Sequence, residues 1–113
     1  MKLEWSETLA AIKLFALLSV MATRVAEIIG GEPYTYYPMG EHVVRADGVC
    51  GGRPTFKYTR IEVTGALARL AAGESLETIV AGYNGRVSKE AMLEASEIVA
   101  REFISHLPAL SAA

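Results

Sequence analysis

The chain has 113 residues, of which 51% are hydrophobic and 21% charged, with a formal net charge of −2. That is one folding domain of modest core, not a disordered segment, and it lacks the global basic excess of most free-standing nucleic-acid binders. A single cysteine excludes an internal disulfide and fits a reducing cytoplasm, the expected compartment.

In chain order, Met1–Glu7 balances Lys2 against Glu4 and Glu7, unlike the basic start of a signal peptide. The apolar run Leu14–Ala22 is well short of the roughly 20 residues a membrane span needs, so a soluble protein is expected. Ser6 reads as an N-cap, and no proline or glycine intervenes before Gly30-Gly31, which reads as a left-handed helix stop confirmed by Pro33. The pattern predicts a helix roughly 36 Å long at the usual rise. Leu14, Leu18, Met21, Val25 and Ile28 make a coiled-coil seam along it, widened by Leu9, Ile12, Phe15 and Ile29. A helix apolar over most of its surface needs cover on more than one side, so a homodimerisation helix is expected.

Glu32–Gly40 places Tyr34, Tyr36 and Tyr37 between Pro33 and Pro38 and reads as an extended connector, Tyr34 and Tyr36 on one side and Tyr37 on the other. Packing of these rings over the apolar helix is favoured over a base-stacking platform. His42–Ala46 is a strand candidate, and Pro54–Phe56 with Arg60–Val63 its short return, the turns marked by Asp47-Gly48 and Gly51-Gly52. Three helices follow: Val63–Ala72 ending at Gly73, one capped by Ser75 and ended by Asn84-Gly85, and one capped by Ser88 that runs towards Pro108. Met92, Ala95, Val99 and Phe103 are expected on the buried face of the last. The predicted architecture is mainly α: a helix-turn-helix-like unit with a short β-hairpin, preceded by a long N-terminal helix. Its divisions are 1–40, dimerisation helix and connector, and 41–113, hairpin and tri-helical domain.

From Gly51-Gly52-Arg53-Pro54 through Lys57-x-Thr59-Arg60-Ile61, Leu70-Ala71-Ala72-Gly73-x-Ser75 and Ile79-x-x-x-Tyr83, the chain resembles the domain of unknown function family 433, often grouped with VapB-like antitoxins. The resemblance covers about half the chain. It implies a homeodomain-like tri-helical fold and the antitoxin half of a toxin–antitoxin pair, with a PIN-like ribonuclease as partner. Two departures stand out: Tyr58 occupies a position where the family usually has glycine, and Asn84-Gly85 stands where proline usually follows the tyrosine.

Arg45, Arg53, Lys57 and Arg60, with Tyr58 among them, form a basic loop suited to phosphates or an acidic partner surface. For Arg60 a structural ion pair with Glu62 or Glu74 is favoured. On the last helix Glu90, Glu94 and Glu97 form an outward acidic stripe, extended by Arg101, which argues against entry into a major groove and suits a basic protein partner. Cys50, His42 and His106 lack the close spacing of a nucleophile–base pair or a metal set, and Gly51-Gly52-Arg53-Pro54 lacks a phosphate-loop ending. The expectation is therefore a non-enzymatic protein without cofactor or metal, antitoxin-like or regulatory, binding a toxin and DNA through the basic loop. The alternative is an oligomeric interaction module with no nucleic-acid role.

Overall fold

The computed structural model describes residues 23–110. Four strands, β1 (Val25–Ile29), β2 (Glu32–Pro38), β3 (Val43–Ala46) and β4 (Thr55–Phe56), form an antiparallel meander in chain order. Three helices follow, α1 (Val63–Ala71), α2 (Leu76–Gly82) and α3 (Lys89–Ser105). The sheet overturns the mainly α, homeodomain-like expectation. Residues expected to end a long helix are instead a strand paired along its length, from Val25 opposite Tyr36 to Ile29 opposite Glu32.

The cause is local. Gly30 and Gly31 both have positive φ, 59° and 82°. Two such residues in succession make the two-residue hairpin loop whose twist matches its strands, and here they connect β1 to β2 instead of capping a helix. Val25 and Ile28, assigned to a helical dimer seam, therefore lie in an edge strand, where Ile28 is 72% exposed. Leu14, Leu18 and Met21 of that seam lie outside the described residues.

β3 is the only strand whose two faces both build core among the described residues. Val43 joins Phe56, Val63, Ala66, Ile79, Met92, Ala95 and Ile98 in the main cluster between sheet and helices. Val44 and Ala46, pointing the other way, meet Tyr36 in a smaller cluster edged by Val25, Tyr34 and Val49. Alternation along a pleated strand requires that split.

The helix caps are those read from the sequence: Ser75 Oγ accepts from Thr78 N at 3.1 Å and Ser88 Oγ from Ala91 N at 3.0 Å. On helix α3 the expected buried face holds at Met92 and Ala95 and fails towards the C-terminal end. Ala91, Met92, Ala95 and Ile98 are buried, while Val99 and Phe103, expected inside, are 41% and 66% exposed. No helix among the described residues is long and apolar enough to cross a membrane.

Candidate binding face

The hairpin β1–β2 is tied to the loop after β4 by one polar cluster. Glu27, on β1, accepts from Tyr36 Oη at 2.9 Å and from Tyr58 Oη at 2.8 Å. Tyr58 N in turn donates to Tyr34 Oη at 3.0 Å. The Tyr34 ring lies 5.0 Å from that of Tyr36 and 5.4 Å from that of Tyr58. Lys57 places its Nζ 5.1 Å from the Tyr36 ring centre and 5.0 Å from that of Tyr58. The Tyr58 and Tyr36 hydroxyls, followed by the Lys57 charge, hold the Glu27 carboxyl below its ordinary value. Contact with Tyr36 is the main influence pushing the Lys57 ammonium up. Tyr34 and Tyr36 share one side of β2 as alternation demands, but they pack against this cluster.

Tyr58 is held in an unusual backbone state, with φ at 65°. For a bulky residue that costs roughly 1–3 kcal/mol, so the state persists only where neighbours enforce it. The region is the one glycine favours, which fits the glycine that the resemblance implies at this position and leaves the tyrosine as the exception. Lys57 N donates to His42 O at 2.8 Å, and Thr59 Oγ1 donates to Phe56 O and accepts from Ile61 N. These bonds set the turn that carries Tyr58 and Arg60 outward.

Among the described residues, several cations are engaged within the chain. Arg24 pairs with Asp47, Arg53 with Glu62, and Arg69 with Glu74 in a bidentate contact at 2.8 and 2.9 Å. Arg69 also lies over the Tyr83 ring. Arg45 Nε donates to Gly52 O at 2.7 Å, within a turn where Cys50, Gly51 and Gly52 all have positive φ. Both carboxylates expected to pair with Arg60 are thus taken, by Arg53 and Arg69. Among the described residues the guanidinium groups of Arg60 and of Arg86, in the turn before α3, have no ion-pair or hydrogen-bond partner, and neither has that of Arg101 on α3.

Arg60 and Arg86 line the same cleft, of about 490 Å³, together with Tyr34, Tyr58 and Thr59. A second cleft of about 370 Å³ lies on the other side of Tyr58 and shares Arg86 with the first; Lys57, His42 and Ser88 line it. Tyr58 is 51% exposed and borders both. Of the basic-loop residues singled out in the sequence, Lys57, Tyr58 and Arg60 reach this face; Arg45 and Arg53 are exposed but tied to the glycine turn and Glu62. Arg86 was missed because it belongs to a turn that reads only as a helix stop. Its signal is the Asn84-Gly85-Arg86 sequence, which offers a side chain on a sharp bend.

The acidic stripe is not continuous. Glu90 and Glu97 are exposed, whereas Glu94 turns into the chain between β2 and β3. Its Oε1 accepts from His42 N at 2.7 Å and Val43 N at 3.1 Å, and its Oε2 from Glu41 N at 3.0 Å. Gly40 makes room, since a Cβ there would lie 2.5 Å from Glu94 Oε1. Glu41, His42 and Glu94 bring possible ligand atoms within 4.8 Å of one another. Both oxygens of Glu94 are already committed to amide donors, so the cluster reads as an amide cradle for a carboxylate. Cys50 Sγ lies 3.4 Å from Arg60 O, and neither histidine contacts it.

A small α+β domain with a tyrosine-walled basic face is the class defined by this arrangement. Residues 43–97 match the family model described as Protein of unknown function (DUF433). The match supports the family resemblance read from the sequence and runs from β3 through the basic loop into α3; β1 and β2 precede it. No curated protein and no solved structure matches the chain.

Proposed function

We propose that the chain is a non-enzymatic regulatory protein of antitoxin-like type, which meets DNA phosphates with the face around Tyr58 and holds a PIN-like ribonuclease as its protein partner. The observation that carries the reading is the pair of unpartnered arginines, Arg60 and Arg86, on one cleft beside exposed tyrosine. Guanidinium groups left without carboxylates, in a chain that pairs Arg24, Arg53 and Arg69 internally, are suited to bidentate phosphate contact. Asp47, paired with Arg24, lines the first cleft and Glu41 lines the second, while Glu90 and Glu97 on α3 line neither, so the net charge of −2 is not concentrated on this face.

The test is anisotropy of a labelled DNA duplex carrying an unpaired overhang, titrated at several salt concentrations. Binding near 50 mM salt, with a salt slope reduced by about 2 in the Arg60→Ala, Arg86→Ala double variant, is expected. Unchanged affinity and slope in that variant would remove the face from the DNA contact.

A second reading, the oligomeric interaction module, draws on a different surface. Met39, Val43, Pro54, Val63 and Ile98 line an apolar groove of about 300 Å³ edged by Val99 and exposed Phe103. Groove and protruding ring lie side by side, as a two-fold interface between two copies requires. On this reading Phe103→Asp converts a dimer to a monomer in light scattering; a wild-type chain already monomeric at high concentration refutes it.

A further inference from the structure

We infer that the ligand of this face is single-stranded nucleic acid, with a base stacked on Tyr58 and adjacent phosphates held by Arg60 and Arg86. This rests on the reading that the two arginines meet phosphate, and adds the strandedness of the ligand and the residue that selects it. Three observations carry it. First, Tyr58 is 51% exposed and lines both clefts, so a chain running from Arg60, beside Asp47, to Lys57, His42 and Ser88, beside Glu41, meets an aromatic ring over which the Lys57 ammonium already lies. Successive bases on aromatic platforms along a cationic groove are how unpaired strands are held. A duplex, whose bases are already stacked on one another, offers no free base face to such a ring.

Second, the ring is positioned before any ligand arrives. Its hydroxyl donates to Glu27, its amide to the Tyr34 hydroxyl, and the Tyr34 ring lies 5.4 Å away. A platform already fixed loses little side-chain freedom on stacking. Third, the backbone at Tyr58 has a φ of 65°, a state bulky residues rarely adopt, and the surrounding bonds enforce it. Strain held in place at an exposed aromatic points to a use for the ring itself. Arg86 lines both clefts and would reach phosphate on either side of the stacked base.

The experiment measures affinity of the full-length chain for a dT oligonucleotide of about 12 nucleotides, for the corresponding dA–dT duplex, and for the mononucleotide dTMP. It uses wild type, Tyr58→Ala, Tyr58→Phe and the Arg60→Ala, Arg86→Ala double variant, each checked for folding by circular dichroism. The expected result is tighter binding of the single strand than of either other probe. Tyr58→Ala should weaken it roughly 5- to 150-fold, and Tyr58→Phe, which keeps the ring and loses the positioning bond to Glu27, should weaken it clearly less. An oligonucleotide carrying a fluorescent purine analogue should lose emission on binding wild type and keep it on binding Tyr58→Ala. Equal loss in Tyr58→Phe and Tyr58→Ala would assign the effect to the Glu27 bond and overturn stacking. Arginine-dependent binding that is as tight for the duplex, and indifferent to Tyr58, would overturn strandedness while leaving the phosphate face intact. Binding of dTMP as tight as the oligonucleotide would replace the track by a single nucleotide pocket and overturn the inference. Absence of arginine-dependent binding to all three probes would remove both readings together.

Discussion

Glu94 accounts for more of the local order than its place in an acidic stripe suggests. One carboxylate receives three consecutive backbone amides, from Glu41, His42 and Val43, at the entrance to β3. Glu94→Ala should lower unfolding free energy in urea by about 2–3 kcal/mol, and Glu94→Gln, which keeps one acceptor oxygen, by clearly less. Thr55 offers the opposite case. It is fully buried in β4, and its Oγ1 has no hydrogen-bond partner among the described residues. Thr55→Val keeps the branched shape and removes the orphan hydroxyl, so a rise of about 1 kcal/mol is expected in the same assay. Neither fact was legible beforehand. Helical spacing puts Glu94 in line with Glu90 and Glu97, and only the closeness of the β2–β3 connection, permitted by Gly40, turns it inward. Arg60 was misread for a related reason: the nearest acids in sequence were assigned to it, and other arginines reach them first.

At the scale of elements, the three C-terminal helices and the pairing of β3 with β4 were legible, and the β1–β2 hairpin was not. Serine caps and glycine stops mark α1, α2 and α3 because capping is a local interaction written in two or three residues. The β1–β2 hairpin depends on pairing, and the apolar run before Gly30 satisfies helical spacing as well as it satisfies a strand. The missed signal was Gly30-Gly31 between Val25-Ala26-Glu27-Ile28-Ile29 and a tyrosine-rich run, since two glycines joining such segments favour a hairpin loop. Docking of this hairpin on the loop carries a pH dependence through Glu27. Its folded-state pKa lies below the ordinary 4.5, with the Tyr58 hydroxyl the largest cause, so the ionised form is favoured by docking. The contribution is complete above the ordinary value and is lost as pH falls through the lowered one. Protection of the β1 and β2 amides, relative to their intrinsic exchange rates, should therefore fall on acidification below about pH 4, ahead of that of α3. Glu27→Gln should abolish that early step, and identical acid profiles for the variant and wild type would exclude Glu27 as its origin.

Across the whole molecule, stability and exposed apolar surface are segregated along α3. Its first three turns supply Met92, Ala95 and Ile98 to the main core, while its last turns leave Phe103 and Ile104 exposed. Met92→Ala should cost roughly 2–5 kcal/mol in urea unfolding. Phe103→Ser should stay within about 0.5 kcal/mol under dilute conditions. Comparable losses for the two would mean that the end of α3 is covered. The family match stops at residue 97, just short of this apolar end, and starts at β3, leaving out the hairpin that supplies Glu27 and Tyr34. The matched segment thus holds Arg60, Arg86 and Tyr58, while the groups that brace the Tyr58 ring come from outside it.

The three skewed phenol rings have a spectroscopic consequence. Tyr34 sits between Tyr36 and Tyr58 at interplanar angles of 39° and 43°, close enough for their electronic transitions to couple. Chromophores fixed in a chiral array absorb left and right circularly polarised light unequally, and the signal collapses when their mutual orientation averages out. The near-ultraviolet spectrum of this chain should therefore report the seating of the hairpin, while the far-ultraviolet spectrum follows the helices. Displacement of the hairpin would announce itself in the first and leave the helical signal of the second in place.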